Sequence, residues 1–284
     1  MNAGPGQRLA FDFLTAVHRP GKPRRTGLTY VRDAGLSTLG VQELLEAAGD
    51  YVDVLKLAAY SPRLQSRELV ARKVALCREA GVDVGLGGVI LELAVLQGPA
   101  AVFQLLDHAR ELGLTHIEVS RAFVILSAEH LAHLVRTVRD AGFLPIAEVG
   151  VAYAVEPDDV VEADVSQLVS TMQRCLEAGA WKVLLESEGL TENRHPADMR
   201  WDVVSTVSHA VGLDQLMFEA DDRLVWNRYI HDLGPDVNLF VDHSRVLRLE
   251  ASRLGGWAQP QGVVRRVATF HPDHPEMPHE PPRE

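Results

Sequence analysis

Cysteine is scarce in this chain: Cys77 and Cys175 are the only two among 284 residues. Both fall in amphipathic helical patterns without ligand spacing, which excludes a disulfide framework and a cysteine metal centre. They read as plain thiols in a reducing, cytoplasmic setting. Long apolar runs are also lacking. None reaches the ~18 residues of a spanning helix, so no stable membrane insertion is expected. The start, Met1-Asn2-Ala3-Gly4-Pro5-Gly6, has neither the basic nor the apolar region of a signal peptide. Positive charge is in deficit, with a formal net charge of −11. That argues against nucleic-acid binding but leaves room for small anions held by a local cation or a metal. No Gly-x-Gly-x-x-Gly follows the first strand pattern, and no P-loop, Ser/His/Asp set or Cys/His cluster occurs.

What the chain does have is alternation. Short apolar, β-branched runs lie at Leu28–Arg32, Val52–Leu57, Val82–Leu86, Thr115–Val119, Leu144–Val149, Trp181–Leu185, Gln215–Phe218 and Val237–Phe240. Helical patterns separate them, near Val41–Ala48, Arg67–Ala80, Ala100–Leu112, Ala128–Ala141, Val160–Ala178, Met199–Val211, Arg223–Leu233 and Arg245–Arg253. Gly49, Gly81, Gly113, Gly142 and Gly179 stand where helices should end, as C-cap chemistry requires. Strict alternation predicts a parallel sheet with right-handed crossovers, and eight units predict closure into an α/β (β/α)8 TIM barrel. The length suits such a barrel, which needs roughly 250 residues. Residues 1–25 read as an extension across the barrel bottom or a neighbouring subunit, 26–258 as the barrel, and 259–284, rich in Pro, His and acids, as a poorly ordered tail. A homo-oligomer is expected.

Four of the strand runs end in a glutamate followed by a small residue one or two positions on: Glu118, Glu148, Glu186 and Glu219. Charge at the end of a buried strand is costly unless paired, and barrel enzymes work at that end. The other strand ends add Asp33, Lys56, Glu92 from the loop after strand three, and Asn238 from strand eight. Converging carboxylates raise one another's pKa, and a divalent cation relieves them; oxygen ligands favour Mg²⁺ over zinc. The alternative is that each glutamate pairs with a neighbouring Lys or Arg. Asp33, Glu92, Glu118 and Glu219 are the candidate metal ligands, and Glu186, Glu148 and Lys56 the candidate catalytic groups. Arg63 and Arg121, in loops after strands two and four, are candidate phosphate or carboxylate clamps.

These residues resemble the phosphosulfolactate synthase family of TIM-barrel enzymes. The resemblance rests on Lys22-Pro23-Arg24, Gly27-Leu28-Thr29 with Asp33, Glu43-Leu44-Leu45-Glu46 and Tyr51-Val52-Asp53-Val54-Leu55-Lys56. It continues through Gly87-Gly88 with Glu92, Ile117-Glu118-Val119-Ser120, Glu148-Val149-Gly150, Ala178-Gly179-Ala180-Trp181-Lys182-Val183, Phe218-Glu219-Ala220 and Val237-Asn238-Leu239. It implies addition of sulfite to phosphoenolpyruvate with Mg²⁺. The departures share a direction. Ala58-Ala59-Tyr60-Ser61 replaces a Gly-Thr-Ser loop, Arg121-Ala122-Phe123-Val124 an Asp-Gly, Val151 a lysine, and Phe240-Val241 a Gly-Asn.

Polar and glycine positions have thus become aliphatic or aromatic. A hydrocarbon tail would reward that change by about 0.8 kcal/mol per buried CH₂. The expectation is therefore a Mg²⁺-dependent prenyltransferase. It would join a polyprenyl (farnesyl) diphosphate, as an ether, to the hydroxyl of a phospho-acid such as 3-phosphoglycerate. In this it is similar to prenylglyceryl phosphate synthases and to the step that builds the phosphoglycerate lipid of moenomycin-type antibiotics. Lys56, Ser120 and Arg121 would hold the acid, Arg63 and Asn238 are further substrate-binding candidates, and Val89, Phe123, Val151, Tyr153 and Phe240 would line the tail. A phosphosulfolactate synthase and a non-catalytic binding barrel are the alternatives.

Overall fold

The computed structural model describes residues 10, 19–58, 60–124, 126–150 and 164–255. In chain order these form β1 (Thr29–Asp33), α1 (Thr38–Ala48), β2 (Val54–Leu57), α2 (Ser61–Leu64), α3 (Arg67–Glu79), β3 (Asp83–Leu86), α4 (Gly88–Gln97), α5 (Pro99–Leu112), β4 (His116–Val119), α6 (Ala128–Asp140), β5 (Leu144–Val149), α7 (Val165–Glu177), β6 (Lys182–Leu185), α8 (Trp201–Val211), β7 (Leu216–Glu219), α9 (Arg223–Leu233), β8 (Leu239–Asp242) and α10 (Val246–Arg253). The strands pair in parallel in sequence order and β1 closes on β8, giving the (β/α)8 barrel. Among the described residues no helix is long and apolar enough to cross a membrane.

Local chemistry sets the element ends. Ser37, Ser66 and Ser127 each accept a backbone N–H of the helix they begin, and so do Asp164 and Asp222. Gly113 ends α5 with φ of 82°, a conformation that side chains with a Cβ resist. One helix escapes sequence reading. α4 (GVILELAVLQ) is apolar almost all round, so it lacks the stripe that periodicity detects.

Strand alternation divides the interior in two. Residues facing the helices build the large outer core, with Leu55, Ile117, Val183 and Phe218 among them. Residues facing the axis form a small inner cluster, Leu28, Tyr30, Val54, Ile146, Leu184, Met217 and Phe240. Two residues further along the same strand faces come Arg32, Lys56, Glu118, Glu148, Glu186 and Glu219, so the charged layer lies directly on the apolar one.

The opposite end is closed by polar staples. Arg253 donates to the carbonyls of Pro235, Val237 and Leu28, Arg19 pairs with Glu250, and Arg24 meets Asp53 at 3.0 Å. Asn238 belongs to this end. Its side chain accepts from Leu28 N at 3.0 Å and donates to the carbonyls of Leu213 and Leu216. The expected substrate role for Asn238 is thereby corrected: β8 begins one residue after it, because the run ends at Asp242 and not at Phe240.

Asp33 is corrected as well. It sits on the outer face of β1, wholly buried. There it pairs with the equally buried Lys73 of α3 and accepts from Gly35 N and Leu36 N. Lys73 also donates to Gln65 Oε1 at 3.1 Å, so this pair fastens the loop after β1 to α3 rather than holding a metal. Removing one partner of a buried pair typically costs 3–5 kcal/mol. Lys73→Met should therefore lower the unfolding free energy by about that much in urea titrations at pH 7; a loss below about 1 kcal/mol would show the pair to be dispensable.

Candidate active site

A cavity of about 440 Å³ opens at the C-terminal mouth of the barrel. Arg32, Lys56, Gly87, Gly88, Val89, Glu118, Ser120, Ala122, Phe123, Glu148, Glu186, Glu188, Glu192, Glu219 and Phe240 are among its lining residues. This is where (β/α)8 enzymes carry their chemistry.

Lys56 is the centre of the site. Its ammonium lies 2.7 Å from Glu118, 3.9 Å from Glu148 and 4.3 Å from the centre of the Phe240 ring. Gly85 on β3 and Gly87 just after it leave room in this layer. A Cβ on Gly87 would come within 3.2 Å of Lys56 Cε, and one on Gly85 within 3.3 Å of the Tyr30 hydroxyl. Burial alone would lower the Lys56 pKa, but Glu118, Glu148 and Glu219 outweigh it and raise the value, so the cation is permanent.

The glutamates divide into two proton-sharing pairs. Burial, and then the negative charge of Glu118, push Glu148 well above the carboxylate range. That shift favours the protonated form of Glu148, which hydrogen-bonds to Glu118; Glu118 also accepts from Gly88 N at 3.0 Å. Burial and the neighbouring Glu186 raise Glu219 to about 8, with its proton toward Glu186. Glu186, itself raised first by burial, accepts from Ser187 N at 3.1 Å. Two carboxyls with raised pKa values, each hydrogen-bonded to a neighbouring glutamate, form an arrangement that suits proton transfer.

Glu186, Glu192 and Glu219 each place a carboxylate oxygen within 4.8 Å of the others. The donor set is all oxygen, and its members repel one another strongly enough to retain a proton. A hard divalent cation fits such a set and would replace that proton.

Other expected residues lie elsewhere. Glu92 lines no part of the cavity. Its buried carboxylate accepts from Ser120 Oγ and from Ala122, Phe123 and Val124 N, at 3.0, 2.7 and 2.9 Å for the amides, so it moulds the loop after β4 instead of binding metal. Arg63, on α2, borders a separate groove against α3 and α5. Arg121 donates to the Leu126 carbonyl at 3.3 Å and is absent from the lining. Neither arginine is a clamp on this cavity. Ser120, Val89, Phe123 and Phe240 do line it, whereas Val151 and Tyr153 fall outside the described residues.

Sequence reading missed Arg32, Tyr30, Glu188 and Glu192. Strand parity was the usable signal for the first two, since Tyr30 and Arg32 pair in register with Val54 and Lys56. Glu188 and Glu192 come from a loop with no periodicity.

The family model for (2R)-phospho-3-sulfolactate synthase (ComA) matches residues 17–259. The phosphosulfolactate synthase of Methanothermobacter thermautotrophicus is 32% identical over 253 residues, covering 87% of this chain and 95% of that one. A protein of Arabidopsis thaliana, heat-stress-associated 32, is 29% identical over 256 residues, covering 83% and 88%. By shape, 3-hexulose-6-phosphate synthase from Salmonella typhimurium superposes with a TM-score of 0.54 at 13% identity, covering 80% and 98%, which bears on the fold alone. These matches overturn the expected prenyltransferase, its farnesyl diphosphate substrate and its antibiotic pathway. The cavity explains the error. Phe240, expected to line a tail channel, is instead enclosed by Lys56 at 4.3 Å and Arg32 at 5.0 Å, so its ring faces cations and not hydrocarbon.

A raised carboxyl pKa has a definite sign. Glu219 titrates near 8 when folded against 4.5 ordinarily, so between these values the folded state holds the extra proton and stability falls as pH rises. Its contribution is full below about pH 4.5 and lost above about 8. Glu219→Gln should flatten the melting temperature across this window. An unchanged slope would place the proton elsewhere. Mg²⁺ should stabilise the wild type more at pH 8 than at pH 6, because the ligands must first ionise.

Proposed function

The chain belongs to the (2R)-phospho-3-sulfolactate synthase family, and on that premise we propose that it adds sulfite to phosphoenolpyruvate. The observation that carries this reading is Glu148, its pKa pushed well up by burial and by Glu118, set with Glu118 beside the Lys56 cation in the charged layer at the mouth.

The reaction needs two things from the protein. Sulfite forms a C–S bond at C3 of phosphoenolpyruvate, and the double-bond electrons move to C2 and the carboxylate. That developing charge must be stabilised, and C2 must then receive a proton. Lys56 supplies fixed positive charge in a water-poor layer, where electrostatic stabilisation is strongest. Glu148 carries the proton for C2, and Glu118 keeps the donor and the ammonium aligned. Mg²⁺, held by Glu186, Glu192 and Glu219, would supply Lewis-acid stabilisation of the enolate when bound. Among the described residues, the positive charge of this layer rests on Lys56 and Arg32, to which the cation would add.

The test is ³¹P NMR of phosphoenolpyruvate with sulfite and Mg²⁺. The enol phosphate resonance should be replaced by that of a secondary alkyl phosphate, and chelation by EDTA should stop the conversion. Glu148→Gln should lower kcat by about 10²–10⁴, the usual worth of a positioned acid, with KM little changed. Lys56→Ala should reduce kcat comparably. Phosphoenolpyruvate that stays unconverted with sulfite and Mg²⁺ would contradict the proposal.

A further inference from the structure

Anionic substrates face a difficulty in this cavity, where the lining among the described residues carries six glutamates and two cations. Lys56 cannot serve as their landing point. It is only 7% exposed, with Glu118 and Glu148 on one side and the Phe240 ring on the other. The arginines expected to clamp the substrate, Arg63 and Arg121, do not line the cavity. The remaining cation is Arg32, whose side chain keeps 29% of its surface exposed.

Arg32 is held rigidly yet not used up. Nη2 pairs with Glu219, Nη1 meets Asp221 at 2.7 Å, and the guanidinium stacks 5.0 Å from the Phe240 ring centre. Asp221 is itself fixed by accepting from Asp242 N at 2.6 Å. A guanidinium offers five N–H donors. Two are engaged here, so three have no partner among the described residues. A planar fork already ordered by a ring and two carboxylates loses little freedom on taking up a further oxyanion.

We propose that Arg32 is the oxyanion-binding residue of the cavity, receiving the phosphate or carboxylate of a small phosphorylated acid, with Phe240 as its platform and Asp221 as its competitor. Naming that acid as phosphoenolpyruvate rests on the function proposed above; the subsite itself does not. Because Asp221 draws on the same guanidinium, removing its charge should strengthen anion binding, an effect opposite in sign to that of removing Arg32.

Calorimetric titration of the full chain in Mg²⁺ with inorganic phosphate, sulfite and phosphoenolpyruvate tests this. Arg32→Met should weaken phosphoenolpyruvate binding at least 30-fold, and Arg32→Lys should fall between it and wild type. Asp221→Asn should bind at least 2-fold tighter. Weakening shared with inorganic phosphate assigns the phosphate to Arg32; weakening confined to phosphoenolpyruvate assigns the carboxylate. If sulfite alone loses affinity, or Arg32→Met binds phosphoenolpyruvate as wild type does, the proposal is overturned. Weaker binding by Asp221→Asn overturns it too, and guards against a misfolded Arg32 variant. Wild-type protein that binds phosphoenolpyruvate through Arg32 but never converts it with sulfite would leave the subsite standing and reject the synthase reading.

Discussion

One buried ammonium organises this protein's site. Lys56 reaches the barrel axis past Gly87, just after β3, where a Cβ would crowd it, and its ammonium lies against the Phe240 ring. It pairs with Glu118 at 2.7 Å, and Glu118 in turn anchors the start of α4 through Gly88 N. Burial and the nearness of Glu118 push the Glu148 pKa well up, which favours its protonated form. Each of these states follows from the one before it. Without the ammonium, the mouth would be a ring of mutually repelling carboxylates over an apolar plug.

The outer features serve that arrangement without touching it. Asp33 with Lys73 fixes the loop after β1, Glu92 fixes the loop after β4, and the network of Arg19, Glu250, Arg253 and Asn238 closes the far end. All are polar groups buried in paired contacts, although Arg19 Nε, Glu250 Oε1 and Arg253 Nε have no hydrogen-bond partner among the described residues. Asp33 and Glu92 place loops at the mouth, while the chemistry stays in a single layer of strand residues.

Much of the barrel was legible in the sequence, because strict strand–helix alternation has few other solutions. β5 was placed at its observed limits, and glycine and serine marked many helix ends. α4 was not legible, since a helix without a polar face carries no period. β8 was read two residues early, and that slip put Asn238 at the wrong end of the barrel. The glutamates Glu118, Glu148, Glu186 and Glu219 were recognisable because charge ending an apolar run is conspicuous. Asp33 and Glu92 looked the same in sequence. Only the side of the strand or helix each faces tells a structural carboxylate from a cavity one. The apolar loop residues misled more seriously. Phe240 suggested lipid, yet its neighbours across the barrel, Lys56 and Arg32, come from strands far away in sequence.

Two neutral glutamates at physiological pH are the central claim, and carboxyl ¹³C NMR of glutamate-labelled protein tests it directly. Titrated in the absence of metal, two carboxyl resonances should remain protonated at pH 7, one vanishing in Glu148→Gln and the other in Glu219→Gln. If every glutamate titrates in the ordinary range near 4.5, the charged layer does not hold its protons, and the acid role of Glu148 falls with it.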